Sequence, residues 1–432
     1  MRLERRTFDV FPGRASSRAR LLATCLCLSS PLAASPLPAQ TPNPGSRVIT
    51  LTDTLAAAVG GVAVDEMGAI YVADFRETVW KVNPDGQAAP FATGLYGASG
   101  NAIDSKGNLL QANFYGDYVS RIDRTGAHEI VADGLNGPVG IAVDEEDNFY
   151  VCNCRANSVS FVTADGDVST FVESDLFVCP NGITRDPDGN LYVVNFRGGR
   201  MLKVTPEAEV SELALLPGGG NGHVTMARGS LYATSFQGHR IYRVSLEGEV
   251  TLIAGTGARG EKDGPALEAT FTFPNGIAAG PRGDRLYVND FINRFPPGVE
   301  VPPQPLSVVR QIKLASISDL LVSALRSGGP EAMVEAYQEW KNDPATAGVY
   351  TEIEVNRLGY SLMGSGQLEA AIEVFKLNVE SYPNSFNVYD SLAEAYMNAG
   401  EDELAVEYYE KSLEINPGNT NAVEMLEKLR GP

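Results

Sequence analysis

Beyond residue 40 the chain holds three histidines, His128, His223 and His239. A neutral imidazole can serve as a general base or a metal ligand. Of the three, His223 alone stands inside a recurring phrase, at the head of an apolar segment, and it is the candidate catalytic residue; His128 and His239 fall in turn-like segments. The phrase reads small-Gly-apolar-x-x-Asp, a turn, then apolar-Tyr-Val-x-Asn/Asp. The residue before its glycine is Gly60, Ser99, Val139, Asn181, Asn221 and Asn275 in successive copies, and the copies close on Asp74, Asn113, Asn153, Asn195, Ser235 and Asp290. Carboxamide and carboxylate oxygens gathered in one place suit calcium or another divalent cation, or the hydroxyls of a small polar, sugar-like ligand. The candidate ligand-binding residues are therefore Asn181, Asn221, Asn275, His223, Asp74, Asn153, Asn195 and Asp290, with Asn181 and Asn221 as candidates for a metal. Asn and Asp also tolerate tight turns and cap backbone groups. That structural reading stands beside the functional one, above all for the residues that close the phrase. No Gly-rich phosphate loop, nucleophile elbow or His-Glu-x-x-His motif occurs.

The elements that must position these residues follow from the repeat. Between Tyr71, Leu110, Tyr150, Tyr192, Tyr232 and Tyr287 the steps are 39, 40, 42, 40 and 55 residues, near the ~40–50 residues of a propeller blade. Short apolar runs separated by turn pairs such as Asp165-Gly166 and Glu247-Gly248 fit four strands per period. The first run of each copy is apolar or small throughout, as in an innermost strand buried on both faces, whereas Arg240-Ile241-Tyr242-Arg243-Val244 alternates like a half-buried one. Six sheets stacked around an axis bury their faces and leave only short edges. The last copy lacks a fourth strand, and Val48-Ile49-Thr50-Leu51 precedes the first as an orphan. The expectation is an all-β six-bladed propeller over 46–315 whose N-terminal strand completes the last blade. In this geometry the residue before each repeat glycine and the end of each second strand meet at the channel mouth. The proline-rich stretch Asn293 to Pro305 is read as the insertion that accounts for the long step, placed as a rim, a lid or a spacer.

Ala254-Gly255-Thr256-Gly257, then Gly260, Asp263-Gly264, Ala269, Phe271 and Pro274-Asn275-Gly276-Ile277-Ala278 resemble the NHL-repeat signature, and the other copies are similar to it or to gluconolactonase-like propellers. The resemblance implies the fold and, for the gluconolactonase-like branch, a channel cation held by a first-blade acid, a middle-blade Asn and a later Asp. Asn181 matches the middle position. Gly60-Gly61 stands in place of the acid and Asn221 in place of the later Asp, which leaves a cation weakly held and a water poorly activated. The multi-histidine zinc site of the amidating-lyase branch is not reproduced by three scattered histidines. The leading expectation is a binding or scaffold protein, and the alternative is a divalent-cation-dependent lactonase.

After Leu314 the texture becomes helical. Gly359, Gly366, Ala371, Phe375 and Pro383 recur 34 residues on as Ala393, Gly400, Ala405, Tyr409 and Pro417. This resembles two tetratricopeptide repeats over 352–430 with a closing cap helix, preceded by a helical connector or partial repeat over 316–350. The resemblance implies a small all-α module with a concave face for a protein partner.

Net charge is −20, with 34 Lys plus Arg against 54 Asp plus Glu, which excludes a general footprint for nucleic acid. Six arginines precede the apolar run Leu21 to Pro38, an arrangement read as a signal peptide over 1–40 and an extracytoplasmic destination, periplasmic or secreted. No later apolar run has the length of a membrane span. Removal of Cys25 and Cys27 leaves Cys152, Cys154 and Cys179. Cys154 just after the second strand of blade three and Cys179 on the way into blade four both reach the mouth face, so they are the expected disulfide, with Cys152 free.

Overall fold

The computed structural model describes residues 46–292, 305–343, 346 and 348–431. The segment read as a signal peptide, and all of the proline-rich stretch but Pro305, lie outside these residues. Six antiparallel sheets surround an axis. Blades one to five have four strands each, in chain order from the axis outward. Their innermost strands are Val62–Val64, Ala98–Ile103, Pro138–Val143, Pro180–Arg185 and Asn221–Ala227. Blade six is built from Pro274–Ala279, Arg285–Ile292 and Leu306–Lys313, then Arg47–Thr50, and outside that the two-residue strand Gly264–Pro265. Arg47–Thr50 pairs antiparallel with residues 310–313, so the first strand of the chain closes the ring. Apolar side chains from facing blades form separate clusters, such as Leu110, Ile141 and Phe149 between blades two and three. Every blade therefore depends on its neighbours for burial.

The long step of 55 residues has a different origin from the one expected. Its extra residues lie before blade six, in Gly255 to Phe273, which carries the strand Gly264–Pro265 and the 3-10 turn Ala266–Glu268. Arg310, fully buried on the third strand of blade six, holds this insertion: its guanidinium donates to the carbonyls of Thr270 (3.0 Å) and Lys262 (3.1 Å) and to Asp263 (2.8 Å).

Six helices follow: α1 (Ile317–Asn342), α2 (Glu352–Gly364), α3 (Leu368–Ser381), α4 (Phe386–Ala399), α5 (Asp402–Ile415) and α6 (Thr420–Arg430). The first is broken at Gly329, whose φ of 76° leaves the helical region, and Pro330 restarts it at a position where its missing N–H costs nothing. α2 with α3 and α4 with α5 form hairpins around one core that includes Trp340, Phe375, Leu392 and Tyr409. Asn378, Glu352 and Ser412 are buried polar members whose side chains tie helix to helix; the Asn378 amide, for one, donates to the carbonyl of Glu352 at 3.1 Å. Among the described residues no helix is long and apolar enough to cross a membrane.

Candidate functional site at the propeller axis

Strand pairing fixes which residues occupy equivalent places around the axis. In blade three Pro138 pairs with Asn153 and Ile141 with Val151, leaving Val139 and Gly140 bulged between them. In blade five Asn221 pairs with Ser235 and Val224 with Ala233, so Gly222 and His223 are the bulged pair. His223 thus occupies the place that Gly61, Gly100, Gly140, Gly182 and Gly276 occupy in the other blades. This corrects the sequence register, which aligned Gly222 with the other repeat glycines because both it and they follow an asparagine in three copies. The ladder aligns on Val224, not on the Asn-Gly pair.

The five glycines and His223 form a collar in which successive innermost strands approach closely. A Cβ on Gly61 would lie 2.7 Å from Gly100 Cα, one on Gly182 2.5 Å from His223 Cα, and one on Gly276 2.6 Å from the Gly60 carbonyl oxygen. Only hydrogen fits there. Just above the collar, polar side chains stitch four of the six blade junctions. Asn181 Nδ2 donates to the carbonyl of Gly222 at 2.6 Å, and Asn275 Nδ2 to those of Val59 and Gly60, both at 3.1 Å. Ser99 Oγ donates to the Pro138 carbonyl at 2.8 Å. In blade five, where Gly222 has no side chain to offer, Thr234 Oγ1 donates to the Asn275 carbonyl at 2.6 Å and accepts from the His223 amide at 3.0 Å. Asn289 does both jobs in blade six, accepting from Gly276 and donating to Gly60.

Asn221 does not join Asn181 and Asn275. It stands one place earlier, fully buried, with Nδ2 3.4 Å from the Arg200 carbonyl. Asn181 Nδ2 also donates to the Asn221 carbonyl at 3.3 Å, so the candidate metal pair touches through the Asn221 backbone, while the Asn221 side chain bonds towards Arg200. Among the described residues no three or more His, Cys, Asp or Glu gather where an ion could be held.

The residues that close the phrase act as interior latches, the structural one of the two readings their residue types allow. Asn113, Asn153 and Asn195 accept through Oδ1 from the amides of Tyr96, Asn136 and Val178, each 17 residues earlier, and Asp290 accepts from Phe273 in the same way. Asp74 instead accepts from Arg76 and Thr78 in its own turn. All five are buried. Burial pushes the Asp290 carboxyl up to about 7, against two backbone amides and Arg310, which favour its charged form.

His223 is 8% exposed and lines a cavity on the axis, and burial pushes its imidazole down to about 4, so it is neutral at pH 7. The other histidines sit elsewhere. His128 opens the fourth strand of blade two, with Nε2 3.1 Å from the Thr93 carbonyl, and His239 lies in a turn with its ring against Phe273.

One feature of the mouth escaped the sequence reading. The residue after each phrase-closing position is Phe75, Phe114, Cys154, Phe196, Phe236 and Phe291. The phenylalanines are half-buried and touch across blades: Phe75 with Phe114 at 5.4 Å, Phe196 with Phe236 at 5.9 Å, and Phe236 and Phe291 each with Phe273, at 5.0 and 6.2 Å. The gap in this ring is blade three, where Cys154 is bonded to Cys179. Cys152 is a free, fully buried thiol at the place of Thr234 in blade five, and burial raises its pKa. The signal was the recurrence of Phe one residue beyond the Asn or Asp that drew attention.

The second helical hairpin matches the tetratricopeptide repeat family over residues 386–419. No curated protein matches the chain. Among solved structures, a protein of unknown function from Bacteroides thetaiotaomicron is 15% identical, with a TM-score of 0.51 over 62% of this chain and 76% of that one. An auxiliary nutrient binding protein from Bacteroides ovatus is 14% identical, with a TM-score of 0.50 over the same shares. A gluconolactonase from Xanthomonas campestris is 18% identical, with a TM-score of 0.49 over 62% and 90%. At these identities the likeness is one of fold. The chain is a six-bladed propeller followed by a tetratricopeptide-type helical module.

Proposed function

We propose that the protein is an exported, non-catalytic binding scaffold. Its helical module docks a protein partner, and its propeller mouth takes a small polar ligand or a segment of that partner on the broken ring of aromatic faces. The observation that carries this reading is the engagement of the polar side chains at the mouth. Asn181, Asn275, Ser99, Thr234 and Asn289 bridge blades, and Asp290 is held by two backbone amides and Arg310. Hydrolysis needs carboxylates that hold an ion and activate a water, whereas these groups hold the ring together. On the helical module, Ile353, Tyr360, Phe386 and Val423 are exposed apolar residues on α2, α4 and α6, of the kind that mark a docking face. The Cys154–Cys179 disulfide supports export, because such bonds persist in oxidising compartments. The Bacteroides ovatus neighbour, described as nutrient-binding, has a role of the same kind.

The test is to load the full exported chain with calcium and with zinc, dialyse it, measure metal per chain and follow hydrolysis of glucono-lactone. The expected outcome is substoichiometric metal and hydrolysis at the buffer rate. One tightly held ion per chain, with hydrolysis abolished by chelation, overturns the reading in favour of a divalent-cation-dependent lactonase.

A further inference from the structure

We infer that the axial cavity beneath the collar binds a small uncharged polyol, held by His223 on one side of the axis and Asn101 on the other. The inference rests on the propeller being a binding module and places a ligand inside the ring, apart from the aromatic mouth. The cavity has a volume of about 200 Å3 and takes its walls from the innermost strands of all six blades. Each of those strands pairs on one side only, so backbone N–H and C=O groups on the other side face the axis and call for hydrogen bonds. An apolar ligand would leave them unmet. Among the described residues no charged side chain lines the cavity, and an ion placed there without a counter-charge would lose its hydration uncompensated. An uncharged ligand rich in hydroxyls meets both conditions.

Two side chains give the site its polarity. The ring nitrogens of His223 have no hydrogen-bond partner among the described residues, and a neutral imidazole offers one donor and one acceptor. Asn101 Nδ2 donates to Gln111 Oε1 at 3.3 Å, and Gln111 is itself fixed by donating to the carbonyls of Gly100 and Ala112 at 3.0 and 2.9 Å. That chain sets the amide's orientation: Asn101 Oδ1 is buried beside Gly61, and the second N–H of Nδ2, which no described residue accepts, is the donor that Asn101 offers the cavity. Asn101 belongs to blade two and His223 to blade five, which face each other across a ring of six. A molecule that satisfies both must carry hydroxyls at its two ends. By the measure that a cavity of about 150 Å3 accommodates benzene, this one takes roughly eight non-hydrogen atoms, the size of a four-carbon polyol.

The experiment uses the full exported chain labelled with 13C-histidine, which gives three resolved Cε1–H signals; His223→Gln identifies the one of interest by its loss. Erythritol is the probe, with erythronate and 1-butanol as controls of similar size. The expected result is a saturable shift of the His223 signal alone with erythritol, weak or absent response to both controls, and affinity reduced roughly fivefold by Asn101→Ala. The His128 and His239 signals report whether that variant is folded, and the unsubstituted protein decides the question without it. No shift with erythritol, equal binding of either control, parallel movement of all three histidines, or unchanged affinity in a folded Asn101→Ala variant overturns the inference. Lactone hydrolysis by the same sample would sink the scaffold reading and leave a polyol shift standing, whereas a missing shift alone sinks only this site.

Discussion

The amide and the hydroxyl of Thr50 both donate to the carboxylate of Asp263, at 2.8 and 3.1 Å, across 213 residues of sequence. The same carboxylate accepts from Arg310, which also reaches Asp290. The N-terminal strand, the insertion before blade six and the third strand of that blade therefore meet on one acid, and ring closure is a polar lock as well as a strand pairing.

Asp263→Ala should cost about 2–4 kcal/mol, because it leaves a buried guanidinium with one anionic partner and removes both anchors of Thr50. A chain beginning at residue 58 should lose more, since blade six then presents an unpaired edge. Denaturant melts of the three proteins check the order; equal midpoints for the full chain and the one beginning at residue 58 would refute closure as a source of stability.

The collar makes a sharper claim about single methyl groups. Gly182→Ala places a Cβ against the His223 backbone, where no side chain can yield, and should cost about 3 kcal/mol or more. Gly134→Ala meets nothing within 4 Å and is strained only by its φ of +75°, so about 1 kcal/mol is expected. Similar losses for the two would show that the innermost strands can move apart.

The propeller was legible because its signal is repeated: six copies of one phrase with near-constant spacing fix blade number, strand count and the missing strand that Arg47–Thr50 supplies. The register within blade five was not legible. Asn221-Gly222 imitates the Asn-Gly pairs at 181–182 and 275–276, and only the pairing of Val224 with Ala233 reveals that His223 stands in the glycine's place. The side chains of Asn153 and Asn195 likewise carry the same chemistry whether they face a ligand or a backbone amide 17 residues earlier. Sequence supplies the functional group, and tertiary structure decides what it meets.

Stability should depend on His223 in acid. Burial holds its folded pKa at about 4 against an ordinary value near 6.5, so the folded state binds fewer protons than the unfolded one between these limits. The stability due to the neutral ring is complete above about pH 6.5 and is lost as pH falls towards 4. The loss is roughly 3 kcal/mol from this residue. His223→Gln should flatten that part of the pH profile while the carboxylates keep theirs. An unchanged slope between pH 6.5 and 4 would mean the imidazole is hydrated in the folded state.

The helical module is fastened to blade five through Arg228, in the turn between its first two strands. One arm of that guanidinium donates to the Ala315 carbonyl at 2.8 Å and the other lies 3.4 Å from Glu354 on α2. Glu354 also accepts from Ser316 Oγ and the Ser318 amide, and the Tyr350 amide donates to the Arg228 carbonyl, so the junction is held from both sides. The pair is mostly shielded from water, and removing one partner leaves the other's charge uncompensated. Arg228→Ala should therefore loosen the attachment by about 2 kcal/mol without unfolding either module. Limited proteolysis should then cut near residues 315–318 several-fold faster, while the propeller's melting temperature stays within a degree or two. Glu354→Gln, which keeps a neutral acceptor for Ser316 and Ser318, should give a smaller increase in cutting. If Arg228→Ala leaves the junction as resistant as before, the packing of Tyr350 beside Gly229 holds the modules together and the ion pair is incidental.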